Sequence, residues 1–245
     1  MPTQLILLPN VLGEEQEPSL VLPQAVFQHV KCLDGLIAES EKGGRLFLKK
    51  FELKKPLQQF PIALLNEHTS ESEVKDLLIP IAQGQTWGLI SDAGMPSLAD
   101  PGSNLVHLAR KQNIVVDVIM GPTSITLALI LSGFPSQKFF FHGYLEREHK
   151  ALVQQLHEIE SLCYRLDATQ IFIETPYRNS KVLEIAVNSL KPSTALAVAC
   201  DLGLSSQICA THSINSWKSK DKQLFHKRPS VFLITPEKTF PIRKA

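Results

Sequence analysis

The chain reads as an α/β protein, on two observations. Short apolar runs of strand length alternate with amphipathic stretches of helical spacing along its 245 residues. Several of those runs stop abruptly at loops of glycine, proline and small polar residues. Such alternation builds sheets with helices packed on them, and ligands then collect at the carboxyl ends of the strands.

The strand-like runs are residues 5–8, 62–65, 87–90, 114–119, 139–141, 170–173, 195–199 and 231–234. After the second, Ser70-Glu71-Ser72-Glu73 has the capping-box pattern of a helix start, and Val74, Leu77, Leu78 and Ile81 fall on one face. Pro80 bends or ends that helix. The run 87–90 is a buried strand that cannot continue through Ser91, Asp92, Ala93, Gly94, Met95 and Pro96. Gly94 permits backbone angles that other residues avoid, and Pro96 lacks a donor. Asp100-Pro101 then predicts an N-cap followed by proline at the first helical position, with Leu105, Val106, Leu108 and Ala109 facing inward. Another helix is predicted over 179–190, with Val182, Leu183, Ile185 and Ala186 inward and Lys191-Pro192 closing it. No Ser- or Gly-rich linker divides the chain; Met120-Gly121-Pro122 is the best candidate boundary.

The loop at 91–96 is the most informative stretch. It sits at a strand-to-helix corner and carries small residues, which lets main-chain amides and carbonyls approach a ligand closely. In its bland reading it is only a well-made turn.

This stretch, Ser91-Asp92-Ala93-Gly94-Met95-Pro96 followed by Ala99-Asp100-Pro101-Gly102, resembles a signature of the bacterial 16S rRNA ribose 2′-O-methyltransferases, members of the tetrapyrrole methylase superfamily. Further matches follow in order. Asn66-Glu67-His68-Thr69 resembles the loop after the family's third strand. Gly121-Pro122-Thr123-Ser124 with Leu131-Ser132-Gly133-Phe134-Pro135 is similar to its Gly-Pro-Ser loop and following helix. Phe141-His142-Gly143-Tyr144-Leu145 and Glu174-Thr175-Pro176-Tyr177-Arg178 are similar to its Phe-x-Gly-Phe-Leu and Glu-Ser/Thr-Pro-His/Tyr-Arg segments. The resemblance implies two α/β domains, 1–119 and 120–245, with S-adenosylmethionine in the cleft between them. It assigns cofactor contacts to Ser91, Asp92, Ala93, Gly94, Met95, Pro96, Gly121, Pro122, Thr123, Ser124, Gly143, Tyr144, Glu174, Thr175 and Pro176. It also implies a homodimer.

The departures matter too. The family's N-terminal loop is here Pro9-Asn10-Val11-Leu12-Gly13, its Glu-Asp-Thr-Arg is Glu39-Ser40-Glu41-Lys42, and its later Arg-Glu-Leu-Thr-Lys is replaced by Cys200-Asp201-Leu202-Gly203. The chain is expected to lack the helical C-terminal extension of the rRNA enzymes, as a shortened branch. These losses fall on the acceptor side more than on the cofactor loops.

Composition suits a cytoplasmic enzyme of this kind. Hydrophobic residues make up 44% of the chain, enough for a substantial core. Cysteines 32, 163, 200 and 209 form no Cys-x-x-Cys pair, the N-terminus lacks a signal-peptide pattern, and no apolar run reaches bilayer length. Gly-x-Gly-x-x-Gly, Gly-Lys-Ser/Thr, Gly-x-Ser-x-Gly and His-Glu-x-x-His are all absent, so common nucleotide-binding enzymes, hydrolases and zincins lack their handles. The histidines are scattered, with His142 and His149 on opposite sides of a strand-to-helix passage. No metal site is expected.

Methyl transfer to a ribose hydroxyl is helped by a base. Glu39, Asp92 and Glu174 each end an apolar run and are the catalytic candidates, whereas Glu158 and Glu160 are expected to be solvated. The alternatives are structural: Glu39 as a helix N-cap, Asp92 capping its own loop, Glu174 pairing with Arg178. Cations gather in two places despite a net charge of +1. Lys42, Arg45, Lys49, Lys50, Lys54 and Lys55 meet only Glu52 between 42 and 55. Residues 218–245 carry Lys218, Lys220, Lys222, Lys227, Arg228, Lys238, Arg243 and Lys244 against Asp221 and Glu237. Both suit a phosphate backbone, or are plain solvated faces. Lys49, Lys50, His68 and Arg178 are the substrate-binding candidates, with ribosomal RNA or the small ribosomal subunit as partner. Phe47, Phe51 and Trp217 are either stacking residues or core. The expected activity is S-adenosylmethionine-dependent methylation of an RNA ribose 2′-hydroxyl. A methyltransferase acting on a small tetrapyrrole or a protein side chain, and a non-catalytic cofactor-binding protein, are the alternatives.

Overall fold

The computed structural model describes residues 4–237. Met1, Pro2 and Thr3 and the cations Lys238, Arg243 and Lys244 lie outside the described residues. The chain divides into two compact units, residues 1–123 and 124–245, each with its own sheet.

In the first unit the order is β1 (Gln4–Leu7), α1 (Pro18–Val21), α2 (Gln24–Val30), β2 (Gly35–Ala38), α3 (Glu41–Leu48), β3 (Ile62–Leu64), α4 (Glu71–Asp76), α5 (Ile79–Ala82), β4 (Thr86–Leu89), α6 (Gly102–Lys111) and β5 (Val115–Val118). The strands pair in parallel in the order β3-β2-β4-β1-β5. Side chains alternate between the two faces of a strand. Accordingly Ile6, Leu8, Leu36 and Ala38 pack with Val26, Val30, Phe47 and Leu48 from α2 and α3. Leu5, Leu7, Ile37 and Leu89 pack with Val74, Ile81, Leu105 and Ala109 from α4, α5 and α6. The chain leaves β1 toward one edge of the sheet and β4 toward the other. These two strands are neighbours, so their following loops diverge to opposite faces and leave a crevice at the carboxyl edge, the usual ligand position in such sheets.

Local signals behave as their chemistry requires. Ser70 Oγ accepts from the Glu73 amide at 3.4 Å and Glu73 Oε2 accepts from the Ser70 amide at 2.8 Å, closing the capping box. Pro80 falls in the first turn of α5, where a missing amide costs nothing, and the chain breaks between α4 and α5. The start of α6 differs from the prediction by one residue: Pro101, not Asp100, occupies the N-cap. Asp100 still caps, its Oδ1 accepting from the amides of Ser97 (2.7 Å) and Gly102 (2.9 Å). Strand β2 falls outside the predicted runs.

The second unit runs α7 (Ser124–Ser132), β6 (Phe139–Tyr144), α8 (His149–Leu166), β7 (Thr169–Glu174), α9 (Asn179–Ser189), β8 (Thr194–Cys200), β9 (Ile208–Ser213), α10 (Ile214–Trp217) and β10 (Ser230–Pro236). The sheet order is β6-β7-β10-β8-β9, with β6 and β7 parallel and the other pairs antiparallel. Strand β8 alternates large and small residues. Leu196, Val198 and Cys200 join Phe172, Phe232, Leu156 and Leu183 in the core under α8 and α9. Ala195, Ala197 and Ala199 occupy the other face, where α7 packs on β8, β9 and β10.

Two expectations are corrected here. Glu160 is buried rather than solvated: its Oε1 accepts from the Lys191 amide at 2.8 Å and from Thr194 Oγ1, tying α8 to the approach of β8. Strand β9, a half-exposed edge, also falls outside the predicted runs. Phe47, Phe51 and Trp217 resolve as core, with Trp217 Nε1 donating to the Leu196 carbonyl at 2.8 Å.

Candidate active site

Three loops meet at the carboxyl edge of the first sheet. After β1 comes Asn10, only 5% exposed, whose amide nitrogen donates to the carbonyls of Ser91 (3.2 Å) and Asp92 (2.9 Å). Its Oδ1 accepts from the Val11 amide (2.9 Å) and from Lys50 Nζ (2.9 Å). The main chain adds two bonds, Asn10 N to Gly94 O and Gly94 N to Val11 O. After β2 comes Glu39, whose Oε1 accepts from Ser91 Oγ (3.0 Å) and the Asp92 amide (3.1 Å). Glu39 therefore does not cap α3. Ser40 does, accepting from the Gly43 amide at 3.0 Å. Side chains from β1 and β2 thus fix the 91–96 loop.

The Asp92 carboxylate lies against the first turn of α3, where a Cβ on Gly43 would come within 2.4 Å of its Oδ1. Burial, and then the charge of Glu39, raise its pKa above the ordinary aspartate range. Beside it a cavity of about 460 Å³ is lined by Asn10, Lys42, Lys49, Lys50 and Asp92, among others. Burial lowers the Lys50 pKa, opposed by the charge of Glu14. Loops 91–96 and 121–122 are in contact. Gly94 has φ +73°, a left-handed conformation, and a Cβ there would meet Pro122 O at 3.1 Å; a Cβ on Gly121 would come within 2.0 Å of the Pro9 Cβ. Glycine is required at both positions for this close approach.

In the second unit, Glu174 closes β7 with a buried side chain. Its Oε1 accepts from the Thr175 amide at 2.7 Å, and its Oε2 lies 3.2 Å from the Arg178 guanidinium in ion-pair contact without hydrogen-bond geometry. Arg178 also donates to the Glu146 carbonyl at 2.7 Å, joining the loop after β6 to the loop after β7. Strand β6 is irregular between Phe141 and Tyr144. Gly143 there has φ +70°, and a Cβ on it would meet no atom within 4 Å, so its main chain is approachable.

The structure brings Glu39, Ser91, Asp92, Ala93, Gly94, Met95, Pro96, Gly121 and Pro122 together in the first unit, with Lys49 and Lys50 on the adjoining cavity. It brings Gly143, Tyr144, Glu174, Thr175, Pro176 and Arg178 together in the second. Thr123 and Ser124 fall where the two units meet in sequence. His68 is not part of the cavity lining. Its side chain is 85% exposed beside Glu67, and its amide donates to Asn66 Oδ1. Asn10 is a residue at this crevice that the sequence alone does not single out. Its signal was available: a lone amide residue after an apolar strand, in a loop followed by Gly13. Among the described residues no group of three or more His, Cys, Asp or Glu side chains is placed to hold a metal ion.

Two α/β units, the first a parallel sheet with small-residue loops at its carboxyl edge, define an α/β protein with a ligand crevice at that edge. The model of the tetrapyrrole (corrin/porphyrin) methylases matches residues 21–215, and the chain belongs to that family. It is 39% identical over 115 residues to ribosomal RNA small subunit methyltransferase I of Thermotoga maritima, covering 47% of this chain and 50% of that protein. To the protein of the same name from Halalkalibacterium halodurans it is 34% identical over 166 residues, covering 66% of this chain and 54% of the relative. The chain thus spans about half the length of these curated relatives. Among solved structures, diphthine synthase superposes with a TM-score of 0.66 at 12% identity, covering 95% of this chain and 89% of that one, a likeness of fold.

Proposed function

We propose that this protein is an S-adenosylmethionine-dependent methyltransferase that modifies a ribose 2′-hydroxyl of small-subunit ribosomal RNA. The observation that carries the reading is the Glu39–Ser91–Asp92 arrangement at the divergence of β1 and β4, beside a cavity edged by Lys42, Lys49 and Lys50. The names of the relatives support the class of acceptor.

The residues present fit the cofactor. Gly94 and Gly121 let the small-residue loops 91–96 and 121–122 pack closely against each other and against Pro9 at the carboxyl edge, and Gly143, with open space on its Cα, leaves main chain approachable near Tyr144, Glu174, Thr175 and Pro176 in the second unit. When bound, S-adenosylmethionine supplies a methyl group on a positively charged sulfur. Asp92, with its raised pKa, is suited to take the proton of an attacking hydroxyl, because a base stronger than an ordinary aspartate captures it more readily. Glu39 orients the Asp92 backbone and Ser91. Lys49 and Lys50 supply positive charge for a phosphate backbone, and Arg178 does so in the second unit.

A cytoplasmic homodimer belongs to the same reading. No helix among the described residues is long and apolar enough to cross a membrane, and Ile130 and Leu131 of the wholly uncharged helix α7 are 72% and 42% exposed, as suits contact with a second copy. The test is a transfer assay with cofactor labelled in its methyl group, offered small ribosomal subunits, total RNA and total protein. Label in ribosomal RNA at a ribose is the expected result. Label only in protein, or cofactor binding without transfer to any of the three, would replace the reading.

A further inference from the structure

We propose that Tyr177, with Lys227 over its ring, is a base-stacking residue of the second unit, the aromatic contact for a single-stranded segment of RNA; this rests on the RNA reading above. Tyr177 is 75% exposed, so its ring adds little to the fold. Yet the turn that presents it is held on every side. The Arg178 amide donates to Thr175 O at 2.9 Å, and the Lys227 amide donates to Pro176 O at 2.9 Å. The Arg178 guanidinium is anchored on the Glu146 carbonyl and beside Glu174. A large aromatic held out to water on a clamped turn is a platform whose ordering is complete before a ligand arrives.

The ring's surroundings select the ligand. Lys227 Nζ lies 5.7 Å from the ring centroid, and Lys227 has φ +58°, a left-handed conformation that a lysine adopts only when its surroundings impose it. Lys181 is close in sequence to Tyr177, while the guanidiniums of Arg178 and Arg228 are ion-paired with Glu174 and Asp201, so the nearby carboxylates Glu174 and Asp201 are neutralised. A largely exposed aromatic ring with a lysine ammonium over it matches a nucleobase stacked on the ring with its phosphate held by that ammonium. A protein partner's hot spot would instead surround the ring with apolar contacts, whereas the flanking Thr175, Arg178 and Lys181 are polar.

The test uses the full chain and unstructured single-stranded RNA of about ten nucleotides, read by fluorescence anisotropy across a salt series. Tyr177→Ala should weaken binding roughly 5- to 150-fold at every salt concentration, and Tyr177→Phe should keep most of the affinity. Lys227→Ala should flatten the salt slope by about one phosphate contact. With 2-aminopurine in the RNA, stacking quenches its fluorescence; the quench should persist with Tyr177→Phe and vanish with Tyr177→Ala. Wild-type binding that Tyr177→Ala leaves unchanged overturns the stacking role and spares the RNA reading. No RNA binding by the wild type, even at low salt, overturns both. A change of mass by light scattering with Tyr177→Ala places the ring between copies of this chain and overturns the proposal.

Discussion

Replacing Asn10 by alanine isolates the joint that ties β1 to the 91–96 loop. The change removes four hydrogen bonds made by a side chain that is 5% exposed. Asp92 is exposed enough for water to replace its lost donor, and the Lys50 ammonium can turn toward the cavity. The Ser91 carbonyl and Val11 amide belong to residues 8% and 3% exposed and have no such recourse. Two buried groups without partners cost about 1–3 kcal/mol each, so a loss of about 2–6 kcal/mol is expected. For a chain of this size that lowers the melting temperature by roughly 4–24 °C. Asn10→Asp keeps both acceptor contacts but sets a carboxylate oxygen against two carbonyls, so it should be no milder than alanine. Lys50→Met removes only a half-buried donor already disfavoured by burial, and its effect should stay within about 1 kcal/mol. Thermal and urea unfolding give the stabilities, and calorimetry with S-adenosylmethionine gives the consequence for the loop, an affinity reduced roughly tenfold or more. If Asn10→Ala melted within about 1 °C of the wild type and bound the cofactor equally well, the role given to this residue would be wrong.

Other perturbations have equally definite outcomes. Because burial and Glu39 raise the Asp92 pKa, the folded chain holds that proton to higher pH than the unfolded chain, and ionisation at neutral pH opposes folding. Asp92→Asn should therefore melt higher than the wild type at pH 7, lose that advantage as the pH falls through the raised folded-state pKa until none is left below about 4, and transfer methyl groups about 10²- to 10⁴-fold more slowly; a variant less stable at pH 7 contradicts this. Gly94→Val forces a β-branched residue to φ +73° against the Pro122 carbonyl, and calorimetry should register no cofactor binding. Gly121→Ala drives a Cβ into the Pro9 ring, which cannot swing aside, and unfolding curves should show a loss of about 1–3 kcal/mol. Lys49, Lys54 and Lys55 together replaced by alanine should weaken RNA binding across sequences and flatten its salt dependence while leaving cofactor affinity intact, since Lys50 and its bond to Asn10 are untouched.

What can be read from sequence is what local chemistry determines. The capping box at Ser70, the break at Pro80 and the inward faces of α6 and α9 follow from hydrogen-bonding capacity and periodicity within a few residues. Strand β2 escapes because its apolar run is only Leu36-Ile37-Ala38, opened by Gly35 and closed by Glu39. Strand β9 escapes for the opposite reason: an edge position tolerates Thr211, His212 and Ser213, so its composition resembles a loop. Glu160 is misplaced because the donors that make its burial tolerable, Lys191 N and Thr194 Oγ1, lie more than thirty residues away. At the site, the carboxylates are legible as the ends of apolar runs. The bonds from Asn10 and Glu39 to the 91–96 loop are not, since they depend on β1, β2 and β4 lying side by side, an order settled by tertiary packing.

The position of β10 between β7 and β8 has a consequence for the order in which the chain can take shape as it is synthesised. Every strand of the first sheet has emerged by residue 118, so that unit can assemble while the rest of the chain is still being made. The second sheet has no middle until residues 230–236 appear. Before then β6 and β7 form one fragment and β8 and β9 another, each with an unpaired apolar edge where β10 will insert. A nascent chain stalled before Ser230 therefore exposes two adhesive strand edges beside a finished neighbour, and this is the stage at which a chaperone has most to protect.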